Sequence, residues 1–594
     1  MSTMDRISGF VSKVTSRLSL KQFVDINEQP LFRMPNYMFR LRYWLGALVA
    51  AAFLWEVATG LFLLLSYYPS NPYNQTQYLI SKIPFGAPIL YSHLYGAYFM
   101  IFLAYIHLFR NYFDGAYKKP RQLLWVVGIV LFALTLGTAF TGYSLPADIL
   151  GVDADGVAQG IVAGAPGGSI INTILFGNGV SLDMYTRLLG WHIILTAIIG
   201  GFLVLHFMLF EQYGVMPSKK VKEKVPAVYP KEQWQNFNPW FPRNFAYTLQ
   251  LTLFIWGLIL IVPNIIINIP NIPSSISALV SPAPLLPPTS TQASSIPAYP
   301  PWFFLFLYKA LDFLQPNGAP YTPLMASLLA GLVPALYLLL VPWLDTSDET
   351  SSHKRSFFTG VGILLVTYLV QLSVWGAVEP SVPEPFPTQV GLMLPPLAIA
   401  FFSLYVLPRF IHSKKGEREL TPKNAALLIV VGLIIVGTWS SLLKHMSVYL
   451  IGVFVPIALS LVLFATRFAR GVKVVEKPEK SPKLMTYNLA IVFLVLLFIT
   501  AGGILGLLIQ LPTTGQESTY WGVGAGILLL IFSYALSLYG YLFFPQENDE
   551  VKIAPPRRPV RLSPRRLDVE GSSGAAEGEE VPAKSGPATA AKEE

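Results

Sequence analysis

Between residues 43 and 67 the chain is apolar for long enough to cross a bilayer, and eleven further stretches do the same. They lie near 90–113, 123–143, 188–212, 244–267, 321–343, 356–376, 389–410, 424–443, 446–466, 487–510 and 520–544. A spanning helix needs about 20 predominantly apolar residues. The composition, 53% hydrophobic and 13% charged, is that of a membrane protein. The expected fold class is therefore an all-α integral membrane protein with about twelve transmembrane helices.

Charge placement orients it. With the N-terminus cytoplasmic, all but four of the 42 Lys and Arg fall on the cytoplasmic side, the exceptions being Lys82, Arg187, Lys309 and Lys444. Positive connections resist translocation, so both termini are expected to be cytoplasmic, in a multi-pass protein of the cell (plasma) membrane. The net charge of +9 is thus a topology signal and not a nucleic-acid site. Residues 1–42 carry seven Lys and Arg and read as a basic amphipathic segment on the membrane surface, with no cleavable signal peptide. Cysteine is absent, which excludes a cysteine-held iron–sulfur cluster, a thioether-linked haem and a disulfide. Any metal must rest on His, carboxylate or a cofactor.

Four of the seven histidines form two pairs, His93 with His107 in the second span and His192 with His206 in the fourth. Each pair is fourteen residues apart. In a helix that is a rise of roughly 21 Å and a rotation about 40° short of four turns, so each pair shares one face. Both spans run from outside to inside, which sets His93 level with His192 near the outer surface and His107 level with His206 near the inner one. Two facing imidazoles at each level make axial cages for two haem irons. A lone membrane histidine is more often a structural hydrogen-bonding group, but four in matched pairs favour ligation. His353, His412 and His445 have no such partners and read as surface residues.

Glycine repeats the period: Gly46 and Gly60 in the first span, Gly128 and Gly142 in the third, again fourteen apart. Lacking a Cβ, they are expected to let two porphyrin planes approach the helices. The chain divides into the surface segment 1–42, a dihaem four-helix core 43–240, a second group of helices 241–420, a four-helix C-terminal extension 421–545 and a disordered cytoplasmic tail 546–594. Within the second group, the outer connection from Pro263 to Gly318 is proline-rich, and its first part carries no charge. It is expected to be an extended loop and not a helix.

These residues resemble the cytochrome b subunit of quinol-oxidising Rieske/cytochrome b complexes. The stretches "EVATGLFLLLSYYPS", "YKKPRQLLWVVG", "FTGYSLP", "RLLGWH" and "PPWFFLFLY" read like that family's motifs in order, over about residues 30–410. The resemblance implies two b-type haems, the outer on His93 and His192 and the inner on His107 and His206. It implies that Arg187 and Arg110 face the haem propionates. It also implies a quinol site at the outer face, between Tyr143 in "GYSLP" and Pro301, Trp302 and Phe303 in "PPWF".

The chain departs from the family in several places. Where relatives carry Pro-Glu-Trp-Tyr, it has Pro300 to Phe303, so the carboxylate proposed to take quinol's protons is missing. Asp148 is the nearest substitute in sequence, although a solvated loop aspartate is the plainer reading. Glu56 stands where relatives often have Gln, and Leu90 replaces an arginine. Glu211 lies where relatives often have a quinone-site histidine. Partners implied are a separate Rieske iron–sulfur protein, other respiratory subunits (a cytochrome, a copper protein or a terminal oxidase) and a possible second copy of the chain. An acid-tolerant archaeal respiratory chain would suit the altered motifs. Two alternatives stand beside this reading: a ferric reductase or NADPH-oxidase-like haem protein, for which no nucleotide-binding glycine fingerprint is present, and a haem-free secondary transporter, which leaves the fourteen-residue period unexplained.

Overall fold

The computed structural model describes residues 33–177, 181–218, 222, 224–401 and 487–543. Most of the amphipathic segment 1–42, the spans expected at 424–443 and 446–466, the tail 546–594, His412 and His445 lie outside the described residues. Among those described, no strand forms, only isolated bridges, and nine helices are long and apolar enough to cross a membrane. All-α architecture is thus what these sequences build, and the protein is a multi-pass membrane protein.

The first four spans are α1 (Leu45–Leu64), α3 (Gly86–Asp114), α4 (Gln122–Ser144) and α7 (Ser181–Tyr213). Between them lie three shorter helices, α2 (Pro72–Lys82), α5 (Ile149–Ala163) and α6 (Gly168–Phe176). The helix ends follow local rules. Proline opens α2 at its first turn, where a missing N–H costs nothing. Gly115 closes α3 at φ 73°, a left-handed conformation that glycine adopts without strain, and its N–H bonds back to Asn111. Then come α8 (Phe245–Ile266), α9 (Ser274–Val280), α10 (Leu305–Leu311), α11 (Val333–Leu344), α12 (Ser356–Val378) and α13 (Phe386–Phe401). Beyond the undescribed 402–486 stand α14 (Tyr487–Leu508) and α15 (Thr519–Phe543).

In the bundle α1 packs on α3 and α4 on α7, while α3 also meets α4 and α8. Helix α15 lies along α8, closest where Gly257 and Gly526 face each other: a methyl group on Gly257 would stand 2.9 Å from the Gly526 carbonyl oxygen. Small residues allow such backbone approach in lipid, where packing and hydrogen bonds drive helix association. Ser533 donates to the Gln250 carbonyl at 2.8 Å and Asn268 to Thr519 Oγ1 at 2.9 Å, fastening both ends of that contact.

The structure differs from the sequence reading in the long connection 263–318. Its proline-rich part is not all extended: α9 occupies "SSISALV", a proline-free stretch just long enough for two turns between Pro273 and Pro282. The connection ends in the 3₁₀ turn Trp302–Phe304 and α10. It is stapled to the bundle through backbone atoms. Tyr73 donates to the Leu285 carbonyl (2.9 Å), Tyr95 to that of Val280 (2.5 Å), and Ile149 N–H to that of Leu286 (2.9 Å).

Candidate functional site

Helices α3 and α7 face each other through the rings of His93 and His192, whose centroids are 6.3 Å apart with planes inclined by 72°. That spacing leaves room for a metal ion bound at about 2 Å from a nitrogen of each ring. Two ligands leave its coordination incomplete, and among the described residues no group of three or more His, Asp or Glu gathers to complete it. A metal held here would need its remaining ligands from a cofactor, such as a porphyrin. His107 and His206 form the corresponding pair fourteen residues further along the same helices.

The four glycines have a more specific position than sequence gave them. Each lies under one imidazole on the neighbouring helix, with α1 serving α3 and α4 serving α7. A methyl group at Gly60 would stand 3.2 Å from His93 Cε1, at Gly46 3.1 Å from His107, at Gly128 3.2 Å from His206, and at Gly142 2.6 Å from His192. Real Cβ atoms seldom come this close, so the glycines seat the rings themselves. The shared period of fourteen is the footprint of this pairing.

Hydrogen bonds orient the first pair. Thr59 Oγ1 donates to the Trp55 carbonyl (2.7 Å), so it accepts from His93 Nδ1 at 2.9 Å. Glu56 Oε2 lies 3.2 Å from the same nitrogen, and its Oε1 is buried without a hydrogen-bond partner. His192 Nδ1 donates to the Thr138 carbonyl at 3.0 Å, with Thr141 Oγ1 at 3.2 Å. These contacts occupy Nδ1 of both rings and leave Nε2 available to a metal. At the second pair, Asn111 Nδ2 lies 3.1 Å from His107 Nε2.

The two arginines pair locally along their helices, Arg110 with Asp114 at 2.9 Å and Arg187 with Asp183 at 3.2 Å. Arg110 also stands over the Tyr43 ring. Glu211 is buried in the last turn of α7.

The structure brings "GYSLP" and "PPWF" together. Tyr143 donates to the Tyr299 carbonyl at 3.2 Å, just ahead of Pro300. Pro301 opens the 3₁₀ turn in which Phe303 packs on Tyr98 and Trp302 on Phe102 and Tyr105. Those three aromatics lie on α3 between its two histidines. Asp148 is not a solvated loop residue. It is buried at the N-cap of α5, with Oδ1 accepting from Gly151 N–H and Oδ2 from Leu285 N–H, both at 2.9 Å. Burial raises its carboxyl, while those backbone N–H groups oppose the shift.

Three carboxylate sites escaped sequence reading. Asp155 on α5 is 1% exposed. Lys309, fully buried one turn past "PPWF", bonds Glu384 Oε1 at 2.7 Å and the carbonyl of Glu379 at 2.9 Å, tying α10 to the segment before α13. Asp345 joins Lys118 (2.7 Å), Arg355 (3.3 Å) and Tyr117 (2.6 Å) at the far ends of α3, α11 and α12. Only the isolated charge of Lys309 hinted at any of them.

The fold and its histidines define a class, an all-α membrane protein with paired imidazoles at two levels of one helical bundle. The chain belongs to the cytochrome b family, which implies haem binding. Residues 98–288 match the family described as Cytochrome b(N-terminal)/b6/petB and residues 291–402 the one described as Cytochrome b(C-terminal)/b6/petD. It is 41% identical over 575 residues to "Cytochrome b" of Sulfolobus acidocaldarius, covering 91% of this chain and 99% of that one. It is 34% identical over 196 residues to "Cytochrome b6" of Heliobacterium mobile (32% and 91% covered). To "Cytochrome bc complex cytochrome b subunit" of Chlorobaculum thiosulfatiphilum it is 27% identical over 347 residues (57% and 74%). A solved chain titled "Hyperthermophilic respiratory Complex III" aligns with a TM-score of 0.48 at 23% identity, over 67% of this chain and 98% of that one.

Proposed function

We propose that this chain is the dihaem cytochrome b subunit of a respiratory complex that oxidises quinol at one membrane face and carries electrons across the bilayer. Orientation follows the positive-inside asymmetry, which puts the His93/His192 level at the outer face and both termini in the cytoplasm. The observation that carries the reading is the fourfold repeat of one device, an imidazole seated on a glycine of the next helix, at two levels on two helix pairs. A transporter has no use for that repetition.

Bound haem supplies a one-electron centre at each level. His93 and His192 would hold one and His107 and His206 the other, with Arg187 and Arg110 near enough to the ends of the bundle to meet propionates. The protein's own residues do the rest. Thr59, Glu56 and Thr138 fix the rings through Nδ1. Tyr143, Pro301, Trp302 and Phe303 would border the quinol site, and Asp148 holds the neighbouring loop in place. Because the chain has no cysteine, an iron–sulfur protein of the Rieske class would be a separate subunit, handing its electron to a cytochrome, copper protein or terminal oxidase. Glu211 would border a second quinone site at the inner face.

The test is the reduced-minus-oxidised spectrum of the purified chain with quinol and with NADPH as alternative donors. Two haem components reduced by quinol and not by NADPH are expected. Reduction by NADPH alone would favour the ferric-reductase reading.

A further inference from the structure

The "PPWF" turn has no carboxylate, and Asp148 has both oxygens committed to backbone N–H groups. Taking a proton with Asp148 would weaken the bonds that hold Leu285 and the start of α5. One turn pair further along the same helix, Asp155 is in the opposite condition. It is 1% exposed, no backbone N–H or cation pairs with it among the described residues, and the Ser144 hydroxyl is the one polar group set against its oxygens, short of a well-formed hydrogen bond. A buried, unpaired carboxylate is costly and calls for an explanation.

Its surroundings supply one. The hydroxyl of Ser144, in "GYSLP", lies beside it but is turned to the Phe140 carbonyl through a long bond of 3.2 Å, so it is free to rotate to the carboxylate. From α7 the phenol of Tyr185 faces it, with Tyr67 beyond. On its own helix the charged neighbours are Asp153 and Asp148. Tyr143 points away to Tyr299. Neither α6 nor the turn Pro323–Ser327, both packed on or beside α5, carries a titratable side chain.

We propose that Asp155 is the proton acceptor of the quinol-oxidising site, reached through the Ser144 hydroxyl. This rests on the quinol reading above. The step is a proton transfer alone: a quinol O–H bond breaks, Ser144 Oγ takes that proton while passing its own to Asp155, and a new O–H bond forms on the carboxylate. Neutral quinol becomes its monoanion, the better one-electron donor, and Asp155 becomes the neutral acid. Burial raises its carboxyl to about 7, the range in which such a group both takes and releases a proton near neutrality. The arrangement does for this chain what a carboxylate in the "PPWF" turn would do directly.

The experiment uses the full complex in membranes, with a short-chain benzoquinol as donor and haem reduction followed from pH 5 to 9. In the parent protein the rate should rise with pH and level off above about 7. Asp155→Asn should slow it about 100-fold and flatten that slope while dithionite still reduces both haems, and Asp155→Glu should restore most of the rate. Quinol should also induce an infrared carboxyl band that Asp155→Asn lacks. An Asp155→Asn protein with parental rate, slope and infrared band overturns the proposal. If that variant loses its haems, Ser144→Ala decides: a slowed rate supports the relay and an unchanged rate overturns it. A parent protein that quinol does not reduce would instead overturn the quinol reading itself.

Discussion

The two ends of the four-helix bundle hold their histidines differently. At the His93/His192 end the polar groups are aimed at the rings: a hydroxyl and a carboxylate at one Nδ1, a carbonyl and a hydroxyl at the other. At the His107/His206 end only Asn111 reaches a ring nitrogen of His107, and His206 Nδ1 lies beside the Leu124 carbonyl without hydrogen-bond geometry. There the strong polar interactions lie further out, where Asp345 binds Lys118, Arg355 and Tyr117 and joins three helix ends. Both ends hold a buried scaffold pair, Lys309 with Glu384 at one and Asp345 with Lys118 and Arg355 at the other, but only the first end also aims polar groups at both rings. Two carboxylates sharpen the contrast, since Asp345 is fully paired and Asp155 is not.

Removing each of these two should therefore act in opposite directions. Asp345→Ala strands Lys118 and Arg355 as buried cations, and breaking a buried pair costs about 3–5 kcal/mol. Its melting temperature in detergent should fall sharply. An unchanged melting temperature would erase the contrast between the ends.

Asp155→Asn should do the reverse and depend on pH. The folded protein holds a proton on Asp155 that the unfolded chain loses between about pH 4 and 7, so stability falls as pH rises through that window. The variant escapes that loss. It should melt with the parent near pH 4 and above it at pH 8, by on the order of a few kcal/mol. Equal melting at both pH values would mean that Asp155 is not held neutral by burial.

The smallest effect comes from making one substitution at both ends. Alanine in place of glycine favours a helix by about 1 kcal/mol, while overpacking costs about 1–3 kcal/mol. At Gly46, where the added methyl meets His107 at 3.1 Å, the two should nearly cancel. At Gly142, where it meets His192 at 2.6 Å, overpacking should win and the haem signal of that level should be lost at a lower temperature. Equal midpoints in the two variants would mean that Gly142 seats no ring more tightly than Gly46.

What sequence could show and what it could not divide along the same physical line. Periodicity is local to one helix, so the nine spans seen among the described residues and the matching fourteen-residue periods of histidine and glycine were legible in the sequence. Which glycine meets which histidine depends on how two helices pack, and no single-helix pattern contains it. Helix α5 was missed because "ILGVDADGVAQGIVA" is rich in glycine and broken by two aspartates, and α6 because the nine residues of "GSIINTILF" are too few to show a period. The connection 263–318 is held through backbone carbonyls of Val280, Leu285 and Leu286, and carbonyls carry no side-chain signature. Asp155 looks like a surface residue in sequence because its burial is supplied by other elements, with α4, α6 and the turn Pro323–Ser327 packed on α5.

The central claim is that two levels of paired histidine hold two separate redox centres. A spectroscopic redox titration of the purified chain, alone and with His192→Ala or His206→Ala, tests it most directly. The account predicts two one-electron haem components, with His192→Ala removing one and His206→Ala the other. A chain that binds no haem, or one whose two components both survive either substitution, would contradict it.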